Sequence, residues 1–285
     1  PFEFSTTQTY MLEFSNLKIR FYKNNGIILE GNKTITGVTK ASPGVITSNS
    51  HGYSNGDEVY ISGIVGMTEL NGKTFLVANS TTNTFSLTDK DGVAINTTSY
   101  TTYSSGGIAN RVYEIATPYT TAELFDIKFA QSADVMYITH PSHEVEKLSR
   151  TGHTAWTLTN VDFGNGPFMD HNVETTTANP SHKTVGSTTT VTFSAVTGIN
   201  NGAGFLSTDV GRLVHIKDGH FKITSITSTT IVVGTVIIDL GISSSTTTDF
   251  ALGSFSNTSG FPSCVTFFEQ RLVFAGTIAQ PQTIF

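Results

Sequence analysis

The chain has 285 residues, a net charge of −6 and a single cysteine, Cys264. One cysteine excludes an internal disulfide and a cysteine-based metal centre. An acidic balance leaves no electrostatic footprint for nucleic acid, and no apolar run approaches the ~18 residues of a membrane-spanning helix.

In chain order the elements are almost all strands. Pro1-Phe-Glu-Phe4 opens in mid-alternation. Residues 10–14 and 18–22 alternate around a turn predicted at Ser15-Asn16. Asn24-Asn25-Gly26, Asn55-Gly56, Asn71-Gly72, Asp91-Gly92 and Asp218-Gly219 punctuate hairpins, because Gly and Asn accept positive φ at low cost. Helical spacing is nearly absent, with short turns predicted only at residues 121–125 and 207–210. Residues 134–138 and 215–217 read as further strands. Thr-rich and aromatic strands separated by such turns predict an all-β protein.

Texture then divides the chain. Residues 1–36, 109–172 and 256–285 are aromatic and share one pattern: a short aromatic strand, a polar turn containing Gln and a second apolar strand. The first copy spans Phe2, Phe4, Tyr10 and Phe14; the second Phe125, Phe129 and Tyr137; the third Phe268 and Phe274. The second copy continues through Val145, Leu148 and Trp156 into another pair of strands. Hairpins recurring at this scale suggest propeller blades of about 40–45 residues. Residues 37–108 and 173–255 are different, richer in Ser and Thr and carrying short strands with tight turns. The predicted architecture is a partial β-propeller-like platform with two inserted small β-barrel or sandwich domains, tolerated because longer loops cost little extra closure entropy. Both ends abut strand-like alternations, so the chain reads as a portion of a longer protein.

Chemistry-bearing clusters are few. His140-Pro-Ser-His143-Glu144 has metal-ligating residue types, but Pro141 forbids the helix that would align both imidazoles, and the segment predicts a turn between strands. Asp170-His171 with His153 has no nucleophile or second carboxylate beside it. Asp89-Lys-Asp91-Gly92 lacks the later ligands of a calcium loop and predicts an Asp-Gly turn. Gly164-Asn-Gly166-Pro167 has no following helix to cradle a phosphate. The Asn-x-Ser/Thr matches at Asn32, Asn79, Asn96 and Asn257 are what a Thr-rich chain yields by chance. Cys264, beside Phe267 and Phe268, is expected as a small buried hydrophobe, and Trp156 as core. No catalytic, cofactor-binding or metal-ligating residue is assigned, and no cofactor is expected.

Two sets of residues resemble known families. Residues 41–57, with His51-Gly52-Tyr53 and Asn55-Gly56-Asp57, and their continuation through Val59, Met67, Leu70-Asn71-Gly72 and Phe75, look like a repeat of bacteriophage structural proteins. That repeat is similar in fold to the first catalytic-cysteine half-domain of ubiquitin-activating enzymes. The segment has no cysteine, so no such activity is implied. Phe129-Ala-Gln-Ser-Ala-Asp134, Leu148-Ser-Arg-Thr-Gly-His-Thr-Ala-Trp156, Phe268-Glu-Gln-Arg271 and Gln280-Pro-Gln-Thr283 resemble the tail nozzle (tail tubular protein B-like) family of short-tailed phages.

The resemblance implies a virion tail location and a homo-oligomer, usually a sixfold ring, placed beneath the adaptor or portal-side ring among other tail proteins. It further implies transient passage of viral DNA without specific binding, and no catalytic residues. Two other classes stay open on the residues alone. A glycan- or receptor-binding module would need an exposed aromatic row, for which Tyr100-Thr-Thr-Tyr103 is the best stretch, although odd spacing sends its rings to opposite strand faces. A glycosidase would need two converging carboxylates.

Overall fold

Among the described residues, five antiparallel sheets follow from the alternation and turn chemistry of the sequence. The computed structural model describes residues 1–5 and 8–285. It is nearly all-β, with 48% of residues in strands and 3% in helix, and two of its sheets curl into half-barrels, an arrangement consistent with a propeller-like β platform. The chain divides into two compact units, Pro1–Tyr119 with Arg150–Trp156, and Thr120–Ser149 with Thr157–Phe285.

In the first unit, strands Phe2–Ser5, Gln8–Ser15, Lys18–Lys23 and Glu114–Ala116 lie side by side, and Gly26–Ile27 pairs with Lys18–Lys23. Thr6 and Thr7, between the first two, lie outside the described residues. The next turn sits one residue later than predicted, with Leu17 at φ 61°, because Ser15 still pairs with Lys18. Alternation buries Phe2, Tyr10, Ile19 and Phe21. Trp156 completes this core, its ring centroid 4.4 Å from Phe21, 4.8 Å from Phe2 and 5.2 Å from Tyr10. The expectation that Trp156 is core holds.

Between Gly26–Ile27 and Glu114–Ala116 the chain builds a seven-stranded sheet, in the order Lys33–Thr34, Ser105–Arg111, Glu58–Val65, Lys73–Ala78, Thr84–Thr88, Val45–Thr47 and Gly37–Val38. The repeat-like residues of the sequence are its structural joints. His51 and Tyr53 are buried around Phe85, and the Tyr53 hydroxyl donates to the Ala109 carbonyl at 2.9 Å. The Asn71 side chain accepts from Ile64 N–H at 2.9 Å and donates to Ile64 C=O at 2.8 Å, standing in for backbone at a strand end. Gly66 needs its identity twice over, since φ is +93° and a Cβ there would run into the Thr102 carbonyl oxygen. An ion pair joins this sheet to the aromatic one: Arg20, which also reaches Glu114 of its own sheet at 3.1 Å, reaches buried Glu58 at 2.7 Å. Arg111 reaches Glu30 at 2.8 Å and Asp57 at 3.1 Å.

Residues 100–103 are not a strand. Tyr100 and Tyr103 pack against the core of the seven-stranded sheet, and the Tyr103 hydroxyl donates to the Ile35 carbonyl at 3.1 Å. Amphipathic rings with apolar surface to bury fold inward here, so this stretch offers no exposed aromatic row.

The strands Lys128–Ser132, Val135–His140, His143–Gly152 and Ala155–Asn160 form a four-stranded sheet in sequence order. The predicted helical turn at residues 121–125 is a non-helical turn running into it. The second unit holds a six-stranded sheet, ordered Ala178–Pro180, Thr188–Phe193, Ile231–Ile238, Gly219–Ser228, Leu213–Ile216 and Phe250–Leu252. Its inward residues include Val191, Phe193, Val214, Ile216, Phe221, Val232 and Val236. The turn predicted at Asp218-Gly219 falls at Lys217-Asp218, with Lys217 at φ 51° and Gly219 already paired to Ile216. Ser207–Asp209 is a single 3₁₀ turn, matching the short helix predicted there. The last hairpin, Cys264–Phe268 with Arg271–Ala275, turns on Glu269 and Gln270, both at positive φ.

Candidate functional site

The His140–His143 segment is a turn between strands, as the proline demanded. The turn at residues 120–123 brings a third ligand type to it: donor atoms of Glu123, His140 and His143 lie within 4.8 Å of one another. The carboxylate is therefore Glu123 and not the adjacent Glu144, whose neighbour across the sheet is the Asn160 amide. Successive strand residues face opposite ways, which separates Glu144 from His143.

Glu123 is held on both oxygens. Oε2 accepts from Thr120 N–H at 2.8 Å and from the Thr120 hydroxyl at 2.7 Å, and Oε1 lies 3.0 Å from His143 Nε2. These bonds, the Thr120 amide foremost, bring the carboxyl pKa down from 4.5 to about 2. His140 Nδ1 accepts the Ser142 amide at 3.1 Å, and burial lowers its pKa. The Glu123 value carries a sign. A carboxyl depressed in the folded state adds stability that is complete above its unfolded pKa of 4.5. That stability fades as pH falls from there toward about 2. Carbon-detected NMR of labelled Glu should find the Glu123 carboxyl still ionised at pH 3.5. In Glu123→Gln that resonance should vanish and the unfolding midpoint should lose part of its dependence on pH below 4.5.

A second cluster lies on the six-stranded sheet. Here Met169 N–H donates to Leu252 C=O and Asn172 N–H to Phe250 C=O, each at 2.8 Å, laying residues 169–172 along the strand Phe250–Leu252. The other side of that strand pairs with Leu213–Ile216, placing His215 opposite Ala251. Asp249, two residues before Ala251, shares its face. His171 Nδ1 lies 2.7 Å from Asp249 Oδ1, and the His171 and His215 rings are 5.3 Å apart. Phe168 stacks edge-on against His215 at 5.3 Å. Burial holds the His215 pKa below its ordinary value, with His171 adding to the effect.

The sequence grouping of Asp170, His171 and His153 does not survive. His153 Nδ1 lies 2.6 Å from the Tyr10 hydroxyl, while His171 turns to Asp249. Asp170 lines a cleft of about 570 Å³ with Glu174, Asn200 and Thr258. A second cleft, about 350 Å³, is lined by Phe163, Phe255, Phe261, Leu213, Glu144 and Lys222 among others. The Asp89 segment is the Asp-Gly turn predicted: Asp89 Oδ1 accepts from Asp91 N–H at 3.0 Å and from Val93 N–H at 2.8 Å. Gly164 sits in a loop, its carbonyl accepting from His220 Nε2 at 2.6 Å.

Cys264 requires a correction, for it is exposed and not buried. Val265 and Phe267 take the partly covered face of their hairpin, where Phe267 meets Tyr137 at 6.1 Å. The period of two then sends Cys264, Thr266 and Phe268 to the other face. Glu123, His215 and Asp249 escaped sequence reading because each reaches its cluster through strand register or a turn distant in the chain. The one local signal was the bare presence of His and carboxylate types.

Comparison with known proteins adds the following. No curated protein matches the chain significantly. Among solved structures, the phage phi92 endosialidase aligns over 94% of this chain at 12% identity with a TM-score of 0.20. The chain spans about half of that structure, 52% of its length, and a likeness at that score assigns neither fold nor activity. The family model of the ubiquitin-activating enzyme E1 FCCH domain matches residues 41–113. That segment covers most of the seven-stranded sheet, so this portion of the chain is similar to an FCCH domain.

Proposed function

We propose that this chain is a structural virion protein, a subunit of a phage tail nozzle or part of one, that contributes to the wall of the DNA-ejection channel. The observation that carries the reading is the placement of the FCCH-like segment. It lies between Lys18–Lys23 and Glu114–Ala116, strands that pair with each other in the register Arg20–Glu114, Ile19–Ile115 and Lys18–Ala116. A small β-domain is thus lodged in a loop of an aromatic sheet, and the motifs at residues 129–134, 148–156 and 268–271 elsewhere in the chain resemble the nozzle family. On this reading residues 1–36, 109–172 and 256–285 are the platform, and 37–108 and 173–255 are the inserted domains.

Ring assembly gives the protein's exposed apolar side chains a use. Phe125 is 91% exposed and Phe268 65%, a cost in water that burial against a neighbouring copy would remove. The acidic net charge suits a channel that must release DNA, since phosphates bind where Lys and Arg neutralise them. The protein acts without catalysis in this account. The glycan-binding alternative has lost its aromatic stretch to the core of the seven-stranded sheet, and the glycosidase alternative rests on Asp170 and Glu174 in one cleft.

Immuno-electron microscopy of virions with antibody against this chain should place label at the tail, and micrographs of the full-length protein should show rings, expected sixfold. Label elsewhere on the particle, or a full-length monomer that binds or cleaves host glycan, would overturn the reading. So would a continuous Lys/Arg lining in the assembled channel.

A further inference from the structure

We propose that His171, His215 and Asp249 bind a divalent transition-metal ion of the zinc type. Two imidazoles and one carboxylate are a donor set that zinc, cobalt and nickel favour over calcium or magnesium. All three donor atoms already lie within 4.8 Å of one another. Bonds of about 2.0–2.2 Å in tetrahedral geometry place ligand atoms about 3.4 Å apart. The His171–Asp249 contact of 2.7 Å must therefore open slightly and the longer separations must close.

The structure assigns that movement to the right residues. His171 and Asp249 side chains are 58% and 49% exposed and free to shift by small rotations. His215 is fixed on a strand between Asp249 and Phe168, and its Nδ1 is buried without a hydrogen-bond partner among the described residues. A buried imidazole nitrogen left unpaired is costly, and a metal bond is one way to satisfy it. The fourth position faces solvent through the exposed pair and is open to water or an external ligand.

The ring of His220 lies on the same face but is committed, with Nε2 donating to Gly164 C=O. The Glu123–His140–His143 cluster is the weaker host. His140 Nδ1 accepts the Ser142 amide, which puts the ring proton on Nε2, and Glu123 spends one oxygen on Thr120. Metal at the His171 site would clip residues 169–172 to His215 and Asp249, adding a cross-link to the backbone and side-chain hydrogen bonds that already hold this segment against the sheet.

The test uses the full chain, produced without a polyhistidine tag and stripped by chelator. Titration with Co²⁺ should give one saturable equivalent with visible d–d absorption, displaced by Zn²⁺, and Zn²⁺ should raise the melting temperature. His171→Ala and Asp249→Asn, both on exposed side chains, should each weaken Co²⁺ binding at least about tenfold and abolish the thermal shift. His215→Ala should do the same where it folds. Glu123→Gln and His143→Ala should leave binding unchanged. No saturable Co²⁺ or Zn²⁺ binding to the wild type overturns the proposal. Binding that survives both His171→Ala and Asp249→Asn overturns it, and so does binding lost only in the Glu123 or His143 variants.

Discussion

Replacing Asp209 by Ala should cost the six-stranded sheet and its surrounding loops about 3–5 kcal/mol, the range expected when one partner of a buried ion pair is removed. Arg212 and Asp209 have fully buried side chains and meet at 2.9 Å. The guanidinium donates further to Asn200 Oδ1 and to Gly253 C=O, each at 2.7 Å. The Asp209 carboxylate also accepts from Asn200 Nδ2 at 2.7 Å and from Leu206 N–H at 2.9 Å. Burial pulls the Arg212 pKa below its ordinary value, and Asp209 is what opposes this. Without the carboxylate a cation stays desolvated and two loop donors lose their acceptor. Urea unfolding followed by hydrogen exchange in peptides covering residues 200–253 reads the loss. Asp209→Asn should cost less, because the amide oxygen can still accept. The pair Asp209→Leu with Arg212→Met should lose much less than the sum of the single changes, since no charge is then left alone. A loss below about 1 kcal/mol for Asp209→Ala would show that water reaches the site.

Trp156→Ala should destabilise the first unit by a similar amount, about 3–5 kcal/mol for emptying an aromatic core position. The indole fills the space among Phe2, Tyr10 and Phe21, and its N–H donates to His153 C=O at 3.1 Å. The Arg150 guanidinium lies 4.8 Å from the Tyr10 ring centre and 6.0 Å from that of Trp156, adding a cation–π contact. Because Trp156 is the sole tryptophan, the variant has no intrinsic tryptophan signal. Circular dichroism and hydrogen exchange in residues 8–23 and 114–116 are the measurements. Trp156→Phe should recover most of the loss. Unchanged protection in those strands would mean that the ring is not the keystone of this core.

The hairpins were legible because their causes are local. Asp91-Gly92 and Asn24-Asn25-Gly26 supply positive φ where a turn needs it, and alternation in residues such as 188–193 sorts side chains to two faces without outside help. Turn positions slipped by one residue at Leu17 and Lys217, where strand pairing overrode the local turn preference. Cys264 shows the limit of composition: its aromatic neighbours suggested a core, but which parity faces inward depends on what covers the hairpin. The 3₁₀ turn at Ser207–Asp209 could be read from sequence, whereas its buried partnership with Arg212 and the distant Gly253 carbonyl could not.

The sequence by itself determined the all-β class, the aromatic hairpins and the core role of Trp156, because these rest on alternation, turn chemistry and side-chain type, and residues 41–75 carried the resemblance to the FCCH fold. Only the tertiary structure decided which ionisable groups meet. Glu123 joins His140 and His143 through a turn. Asp249 and His171 reach His215 because a strand and an extended segment lie in one register across a curled sheet. Such meetings depend on pairing between distant stretches of chain, and no local pattern of residues encodes that pairing.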